Sequence, residues 1–259
     1  MGWAEAEAFL SRYLEAYTDW PGSQLSFVLK NLGDTARALL AMRRIPRLTA
    51  TPSEAPEGVA IRDALIPHAT FRRSWIPLIA VLPLPEHPSE VGLGARNQTL
   101  RRKVRSAERL GVSWTSVADS AERDRLLELA TDAVRNHPNE VYRHVDPDNS
   151  ELTNFPLWIA AYSADGQPLL LAVAAVDGEW AWLRYFRTIG TGAEQSDARY
   201  LGLYALCGEL TGIGVHYLFD QAGMTRGLTA GLRHYQRMVG FRAFRVRVRK
   251  PAQHGGDAH

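Results

Sequence analysis

The sequence predicts an α/β (α+β) fold in which a mixed, mostly antiparallel sheet is flanked by helices and preceded by a helical N-terminal extension. Three apolar runs, at 157–163, 168–177 and 180–187, are joined by the tight turns Ala-Asp-Gly-Gln and Gly-Glu, a pattern typical of three successive hairpin-linked strands. Helix, strand, helix and strand then alternate as far as residue 249. Two amphipathic helices are predicted near the N-terminus.

The N-terminal helices are predicted at 3–17 and 23–43, where apolar residues recur at helical spacing. Residues 49–58 are rich in Pro, Ser and Glu, which favours a surface loop. We expect residues 1–69 to form the helical extension and 70–250 the main domain. The last stretch, 251–259, is expected to be a disordered tail.

Inside the main domain, the apolar run 70–85 contains three prolines, which favours an edge strand or a broken strand. A helix is predicted at 89–110 and a strand at 112–117. Ser120 is predicted to cap the next helix, which Pro138 closes. The polar and aromatic segment that follows, 139–155, is a candidate substrate loop.

Composition excludes several classes of protein. The chain has 259 residues, 46% of them hydrophobic and 22% charged, which is ordinary for a globular protein. No apolar run approaches the roughly 18 residues of a membrane span, and the N-terminus has acidic residues where a signal peptide has basic ones. The single cysteine, Cys207, is expected to pack in an apolar helix face. Because one cysteine cannot form an internal disulfide, we expect a cytoplasmic protein. Metal-ligand spacings, a G-x-S-x-G elbow and a Walker-type loop are all absent from the sequence.

The net charge of +2 is unevenly distributed. Residues 41–110 have twelve basic and six acidic groups, a net charge of +6. Residues 221–259 have eight basic groups and one acidic group, a net charge of +7. Arginine clusters can attract the phosphates of a ligand, whereas a solvated basic face is the alternative interpretation. In the last strand, alternate arginines would face away from Phe244, Val246 and Val248, as a charged edge that resists aggregation or as a track for phosphates. The candidate phosphate-binding surface consists of Arg101, Arg102, Arg105, Arg245, Arg247 and Arg249.

This order of elements resembles the GNAT acyltransferase superfamily. Three motifs resemble its Fem-type branch: RNQTLRRKVRSAERLGV at 96–112, GELTGIGVHYLFDQ at 208–221 and GLRHYQRMVGF at 231–241. The resemblance covers roughly residues 70–256. It implies an enzyme that forms an amide bond by passing an aminoacyl group to a small-molecule or peptide amine, with aminoacyl-tRNA slightly favoured as donor. An acyl-CoA-dependent N-acyltransferase and a non-catalytic GNAT-like binding module are the alternatives. No permanently bound cofactor is expected.

The same resemblance implies a donor site. Acyl-CoA members hold a pyrophosphate on a glycine-rich turn that runs into a helix, and the segment from Arg187 through Gly190 to Gly192 matches that pattern. The predicted helix begins only near Ser196, so a plain strand-to-helix connection is the alternative. Gln236 stands where acyl-CoA members often have a tyrosine and Fem-type members a lysine, so neither preferred residue is present. Arg233 and Arg237, on the same predicted helix, complete the candidate donor-binding set.

Two residues are candidates for catalysis. Asp220 ends a predicted strand at the carboxyl edge of the sheet, where ligand sites of α/β proteins tend to lie, and it could act as a base for the acceptor amine or orient it. A helix-cap or turn aspartate is the alternative interpretation. Tyr185 could face the acyl group, or it could pack in the core.

Overall fold

The computed structural model describes residues 2–69, 78–140, 143, 145, 147–220 and 230–249, which fall into two compact units. The first unit contains residues 1–82, 220–237 and 241–259, and the second contains residues 83–219 and 238–240. The domain boundary expected at residue 70 stays a prediction. The tail 251–259, residues 70–77 of the predicted strand and residues 227–229 of the predicted late helix lie outside the described residues.

Among the described residues, the helices in chain order are α1 (Trp3–Thr18), α2 (Gln24–Lys30), α3 (Leu32–Arg44), α4 (Pro56–Ala69), α5 (Gln98–Arg109), α6 (Ser120–Arg135), α7 (Ala193–Gly212) and α8 (Ala230–Met238). The strands are β1 (Arg47–Ala50), β2 (Ile79–Pro83), β3 (Ser113–Ser116), β4 (Leu157–Tyr162), β5 (Pro168–Asp177), β6 (Trp180–Thr188), β7 (Tyr217–Asp220) and β8 (Arg242–Val248). Short 3-10 turns lie at 88–90, 95–97 and 150–154.

In the first unit, β8 lies between two strands from the beginning of the chain. β8 pairs in parallel with β1, where Arg47 lies opposite Arg245, and antiparallel with β2, where Ile79 lies opposite Phe244. The interpretation of the arginines on β8 as a charged sheet edge is therefore wrong, because both sides of the strand are hydrogen-bonded. β1 and the start of α4 occupy part of the segment expected to be a loop at 49–58.

An ion pair attaches α1 to β8. The Glu7 carboxylate accepts hydrogen bonds from Nε of Arg242 at 2.6 Å and from the backbone N–H of Ala243 at 2.7 Å. The guanidinium of Arg242 also lies 4.2 Å from the ring centroid of Trp3. The side chains of Arg242 and Glu7 are largely buried, with 18% and 15% of their surfaces exposed, so water and salt screen this contact between α1 and β8 less than they screen a surface ion pair.

The helix predicted over 23–43 is in fact two helices. Asn31 interrupts it with φ −121° and ψ 39°, and its side-chain amide donates to the carbonyl of Phe27 at 2.9 Å. An asparagine side chain that hydrogen-bonds the local backbone competes with continuation of the helix, which explains the break.

In the second unit, five strands lie in the order β3-β4-β5-β6-β7. β3 to β6 pair antiparallel through successive neighbours, as the three predicted hairpin-linked strands require. Residues 168–175 of β5 are all buried, which places this strand at the centre of the core. The predicted fold class, a mixed and mostly antiparallel sheet flanked by helices with a helical N-terminal extension, is confirmed.

Glycines end two of the helices where the sequence predicted. After α5, Gly111 has φ +76° and the N–H of Val112 donates to the carbonyl of Ala107 at 3.0 Å. After α8, Gly240 has φ +100° and the N–H of Phe241 donates to the carbonyl of Gln236 at 2.9 Å. These are Schellman-type caps, in which a glycine adopts the left-handed conformation and the next apolar residue turns into a strand.

The predicted starts of α5 and α6 are wrong. α6 is capped by Asp119 rather than Ser120, since the Asp119 carboxylate accepts the N–H of Glu122 at 2.8 Å. The helix predicted from residue 89 begins only at Gln98, after the two 3-10 turns. There Arg101 donates to the carbonyls of Gly92 and Gly94, each at 2.6 Å, and holds this segment outside the helix.

A charged pair joins α5 to α7 within the second unit. Nζ of Lys103 donates to Oδ1 of Asp197 at 2.6 Å, and only 7% of the Asp197 side chain is exposed. Burial opposes ionisation of Asp197, but hydrogen bonds from Lys103 and Ser106 outweigh it and keep the pKa of this carboxyl below its ordinary value. The pair therefore stabilises the folded chain above the pKa that Asp197 has when unfolded, and this contribution is lost as the pH falls through the folded pKa.

We expect Lys103→Met to lower the free energy of unfolding by about 1–3 kcal/mol at neutral pH, because Asp197 then loses its charged partner while remaining buried. The lower end allows for the one-third exposure of Lys103. Urea unfolding should show the loss shrinking below about pH 4, where Asp197 is protonated in the unfolded chain. Arg105→Met, at an exposed position of the same helix, is the control and should change stability little. Equal losses from the two variants would contradict this role for the pair.

Candidate active site

The end of β7 and the last turn of α8 bring together two residues of the predicted site. Nε2 of Gln236 donates to Oδ2 of Asp220 at 2.9 Å. Gln236 is 6% exposed and Asp220 is half-buried. A buried amide that donates to one carboxylate oxygen restricts the orientation of the carboxylate.

Gln236 occupies the helix position where the resemblance implies a tyrosine or a lysine, but the chemistry of its side chain differs from both. A carboxamide neither releases nor takes up a proton near neutral pH, so Gln236 can position a neighbouring group but cannot protonate a leaving group. The following residue, Arg237, has an exposed side chain. Arg233 lies one turn earlier on α8, with its side chain outside the described part of the chain.

Tyr185 lies in the interior of the second unit. It is 6% exposed, and its hydroxyl donates to the carbonyl of Ala130 at 3.3 Å. Burial raises the pKa of Tyr185 to about 12, although the neighbouring charges of Arg187 and Arg184 act in the opposite direction. This placement favours the core-packing interpretation, and contact with an acyl group stays a prediction.

The glycine-rich turn runs directly into α7. Gly192 is the residue before the helix, which begins at Ala193 and not near Ser196 as the sequence suggested. The side-chain amide of Gln195 lies over the turn, because a Cβ added at Gly192 would be 2.7 Å from Oε1 of Gln195 and one at Gly190 would be 3.4 Å from its Nε2. The turn therefore has the continuity expected of a phosphate loop, but Gln195 would have to move before a phosphate could approach it.

Charges of both signs lie beside this turn. Glu194 lies in the first turn of α7, whereas the charge of the buried Asp197, one turn later, is neutralised by its pair with Lys103. Carboxylates near a helix N-terminus already interact with its dipole and repel an incoming phosphate. Arg187, half-buried on β6, supplies positive charge at the other side of the turn.

The arginines of α5 are used in different ways. Arg101 is committed to the carbonyls of Gly92 and Gly94, so it has a structural role. Arg102 and Arg105 are exposed, and Nε of Arg105 donates to the carbonyl of Arg101 at 3.3 Å. Of the predicted phosphate-binding residues on this helix, Arg102 and Arg105 are therefore the ones that face solvent.

The arginines of β8 alternate with apolar residues, as predicted. Phe244 and Val246 are buried and Val248 is half-buried. Nε of Arg245 donates to the carbonyl of Ile45 at 3.0 Å, and burial, together with the charge of Arg47, lowers the pKa of Arg245. Arg247 and Arg249 are exposed.

Sequence reasoning missed the contacts that hold these residues in place. The Lys103–Asp197 and Glu7–Arg242 pairs join residues 94 and 235 positions apart, and no local pattern signals either of them.

Burial raises the pKa of the Cys207 thiol to about 12, consistent with its predicted packing role. Within the described ranges, no three His, Cys, Asp or Glu side chains lie together in a way that could hold a metal ion. The helices of these ranges likewise lack the combined length and apolarity needed to cross a membrane.

We expect Gln236→Met to lower the free energy of unfolding by about 1.5–3 kcal/mol, because a hydrogen bond to a charged group is lost at a buried position. Arg237→Met changes the next residue of the same helix to the same side chain at an exposed position and should be nearly neutral. Denaturant unfolding of both variants measures the difference. If Gln236→Met is as stable as Arg237→Met, the amide does not hold Asp220.

Comparison with known proteins gives structural similarities only. No family model matches the chain, and no curated protein matches it. One similar solved structure is the C-terminal DUF2156 domain of a candidate lysylphosphatidylglycerol synthetase from Agrobacterium fabrum, with 15% identity and a TM-score of 0.49 over 64% of this chain and 57% of that one. Another is L-PGS from Bacillus licheniformis, with 15% identity and a TM-score of 0.45 over 65% of this chain and 59% of that one. A third is a candidate N-acyltransferase from Enterococcus faecalis, with 10% identity and a TM-score of 0.25 over 85% of this chain and 63% of that one. This chain spans less than two thirds of each of them. At such identities and TM-scores, the similarities establish neither a family nor an activity.

Proposed function

We propose that this chain is an amide-forming transferase with a GNAT-type fold, which passes an aminoacyl or acyl group to an amine. The observation that supports this function best is the Asp220 carboxylate at the end of β7, oriented by the buried amide of Gln236. The sequence motifs similar to Fem-type enzymes place an aspartate at this strand end and a polar residue at this helix position.

In this proposal, Asp220 acts as the general base. An amine substrate is an ammonium ion at neutral pH and becomes a nucleophile when Asp220 accepts its proton. The nitrogen then forms a bond to the acyl carbon, and the bond from that carbon to the donor oxygen or sulfur breaks. The second proton lost by the nitrogen goes to that leaving group. Gln236 contributes by holding the carboxylate in one orientation, since alignment of reactants supplies much of the rate of such reactions.

We favour aminoacyl-tRNA as the donor. Exposed arginines on α5 and on β8 offer positive charge to a nucleic-acid backbone. The carboxylate of Glu194 in the first turn of α7 disfavours a pyrophosphate there, and Gln236 cannot act as the acid that protonates a CoA thiolate.

An acyl-CoA donor is the second candidate, and one observation supports it. The turn that ends at Gly192 runs without a gap into α7, as a pyrophosphate-binding turn must. If this candidate is correct, Arg187→Ala should weaken binding of CoA.

We expect Asp220→Asn to reduce the rate of amide formation by about 100- to 10,000-fold, the usual contribution of a positioned general base. The asparagine keeps the size of the side chain and can still accept from Gln236, so the fold should be retained. Single-turnover transfer to an amine acceptor, with circular dichroism as the folding check, tests this expectation. An unchanged rate in a folded variant would exclude Asp220 as the base.

We expect the chain to bind bulk aminoacylated tRNA more tightly than CoA or acetyl-CoA. Contacts with about four phosphates predict a roughly hundredfold loss of tRNA affinity between about 50 and about 200 mM salt. Filter binding of the three ligands side by side measures both effects. If only CoA or acetyl-CoA binds, the donor is acyl-CoA and not aminoacyl-tRNA. If none of the three ligands binds, a non-catalytic binding module is favoured.

A further inference from the structure

Five leucines on α2 and α3 are exposed to solvent. We call them the leucine face; their exposed fractions lie between 40% and 68%, and the residues are Leu25, Leu29, Leu32, Leu39 and Leu40. Isolated exposed leucines are ordinary, but five within 16 residues, on two helices that follow one another in the chain, are a concentration of the kind found at interaction surfaces.

Each helix has a second apolar side that is already covered. Phe27 of α2 and the small residues Ala38 and Ala41 of α3 are buried in one cluster with α1. On α2, Phe27 lies about 160–200° around the helix from Leu25 and Leu29. On α3, Leu32 and Leu40 are about two turns apart and lie on one side of the helix, whereas Ala38 and Ala41 lie on the other side. The leucine face is therefore not required to build the core of the first unit.

The leucine face is bordered by positive charge. Residues 24–44 contain four basic groups (Lys30, Arg37, Arg43 and Arg44) and one acidic group (Asp34), a net +3. All five of these side chains are exposed. Asp34 interacts with Arg37 at 3.7 Å, and no ion pair is found for Arg43 and Arg44 within the described residues. A partner that covers the leucines must accommodate this positive border.

We propose that the leucine face docks α2 and α3 in the plane of an anionic lipid bilayer. Leucines on one side of a helix and lysine or arginine beside them match the apolar and negatively charged layers of such a surface. The helices lie on the surface and do not cross it, in keeping with their lengths of 7 and 13 residues.

A second copy of this chain is the less suitable occupant. Two leucine faces in contact would bring a net charge of +3 on each copy together, which opposes association. The break at Asn31 also changes the direction of the chain between Leu29 and Leu32, so the leucines cannot form one continuous coiled-coil seam.

The test is co-sedimentation with vesicles of phosphatidylcholine alone and of phosphatidylcholine with about 30% phosphatidylserine, a composition with a strongly negative surface. We expect the intact chain to bind only the anionic vesicles, and less at high salt. Leu29→Ser, Leu32→Ser and Leu40→Ser together should reduce the vesicle-bound fraction roughly tenfold or more, because the apolar contribution is removed. Arg43→Gln with Arg44→Gln should have a comparable effect through charge.

Ile213→Ser is the matched control, since Ile213 is 62% exposed and lies in the second unit. It should leave vesicle binding unchanged, and circular dichroism should show that all variants are folded. No vesicle binding by the intact chain, or equal binding by the triple-serine variant, would overturn the proposal. A loss of dimer in the triple-serine variant, seen by sedimentation velocity without vesicles, would assign the leucine face to self-association instead.

Discussion

The placement of β8 between β1 and β2 is the constraint on which the first unit depends. Its neighbours come from the first 83 residues, so their pairing closes a chain segment of about 160–200 residues and occurs only when distant parts of the sequence meet. Glu7 reinforces this pairing through Arg242 and the backbone of Ala243. Because α8 leads directly into β8 through Gly240, anchoring the strand also places Gln236.

The candidate site follows from this anchoring. Asp220 and Gln236 lie 16 residues apart, on a strand end and a helix, and neither local pattern predicts their hydrogen bond. The bond gives a structural role to Gln236, which stands at a position where the enzymes that the sequence resembles have a tyrosine or a lysine. Gln236 is suited to orient a carboxylate, and the proposed function therefore assigns the general base to the strand end and not to the helix.

The errors in the sequence analysis share a physical cause. The break at Asn31, the cap at Asp119 and the late start of α5 all depend on which side chain hydrogen-bonds a particular backbone group, and several nearby residues could have done so. The opposite error occurs at α7, whose helix begins at Ala193 although its apolar stripe starts later. Periodicity locates the buried part of a helix better than its ends.

By itself, the sequence determined the type and order of the elements in the β4–β8 region and the glycine ends of α5 and α8, because alternation, helical spacing and the left-handed conformation of glycine are local properties. It also determined the apolar side of β8. Only the tertiary structure decided that β8 is an internal strand, that Arg101 and Arg245 hold backbone carbonyls while Arg102 and Arg247 face solvent, and that Gln236 meets Asp220. These outcomes depend on contacts between residues far apart in the chain, which no local pattern encodes.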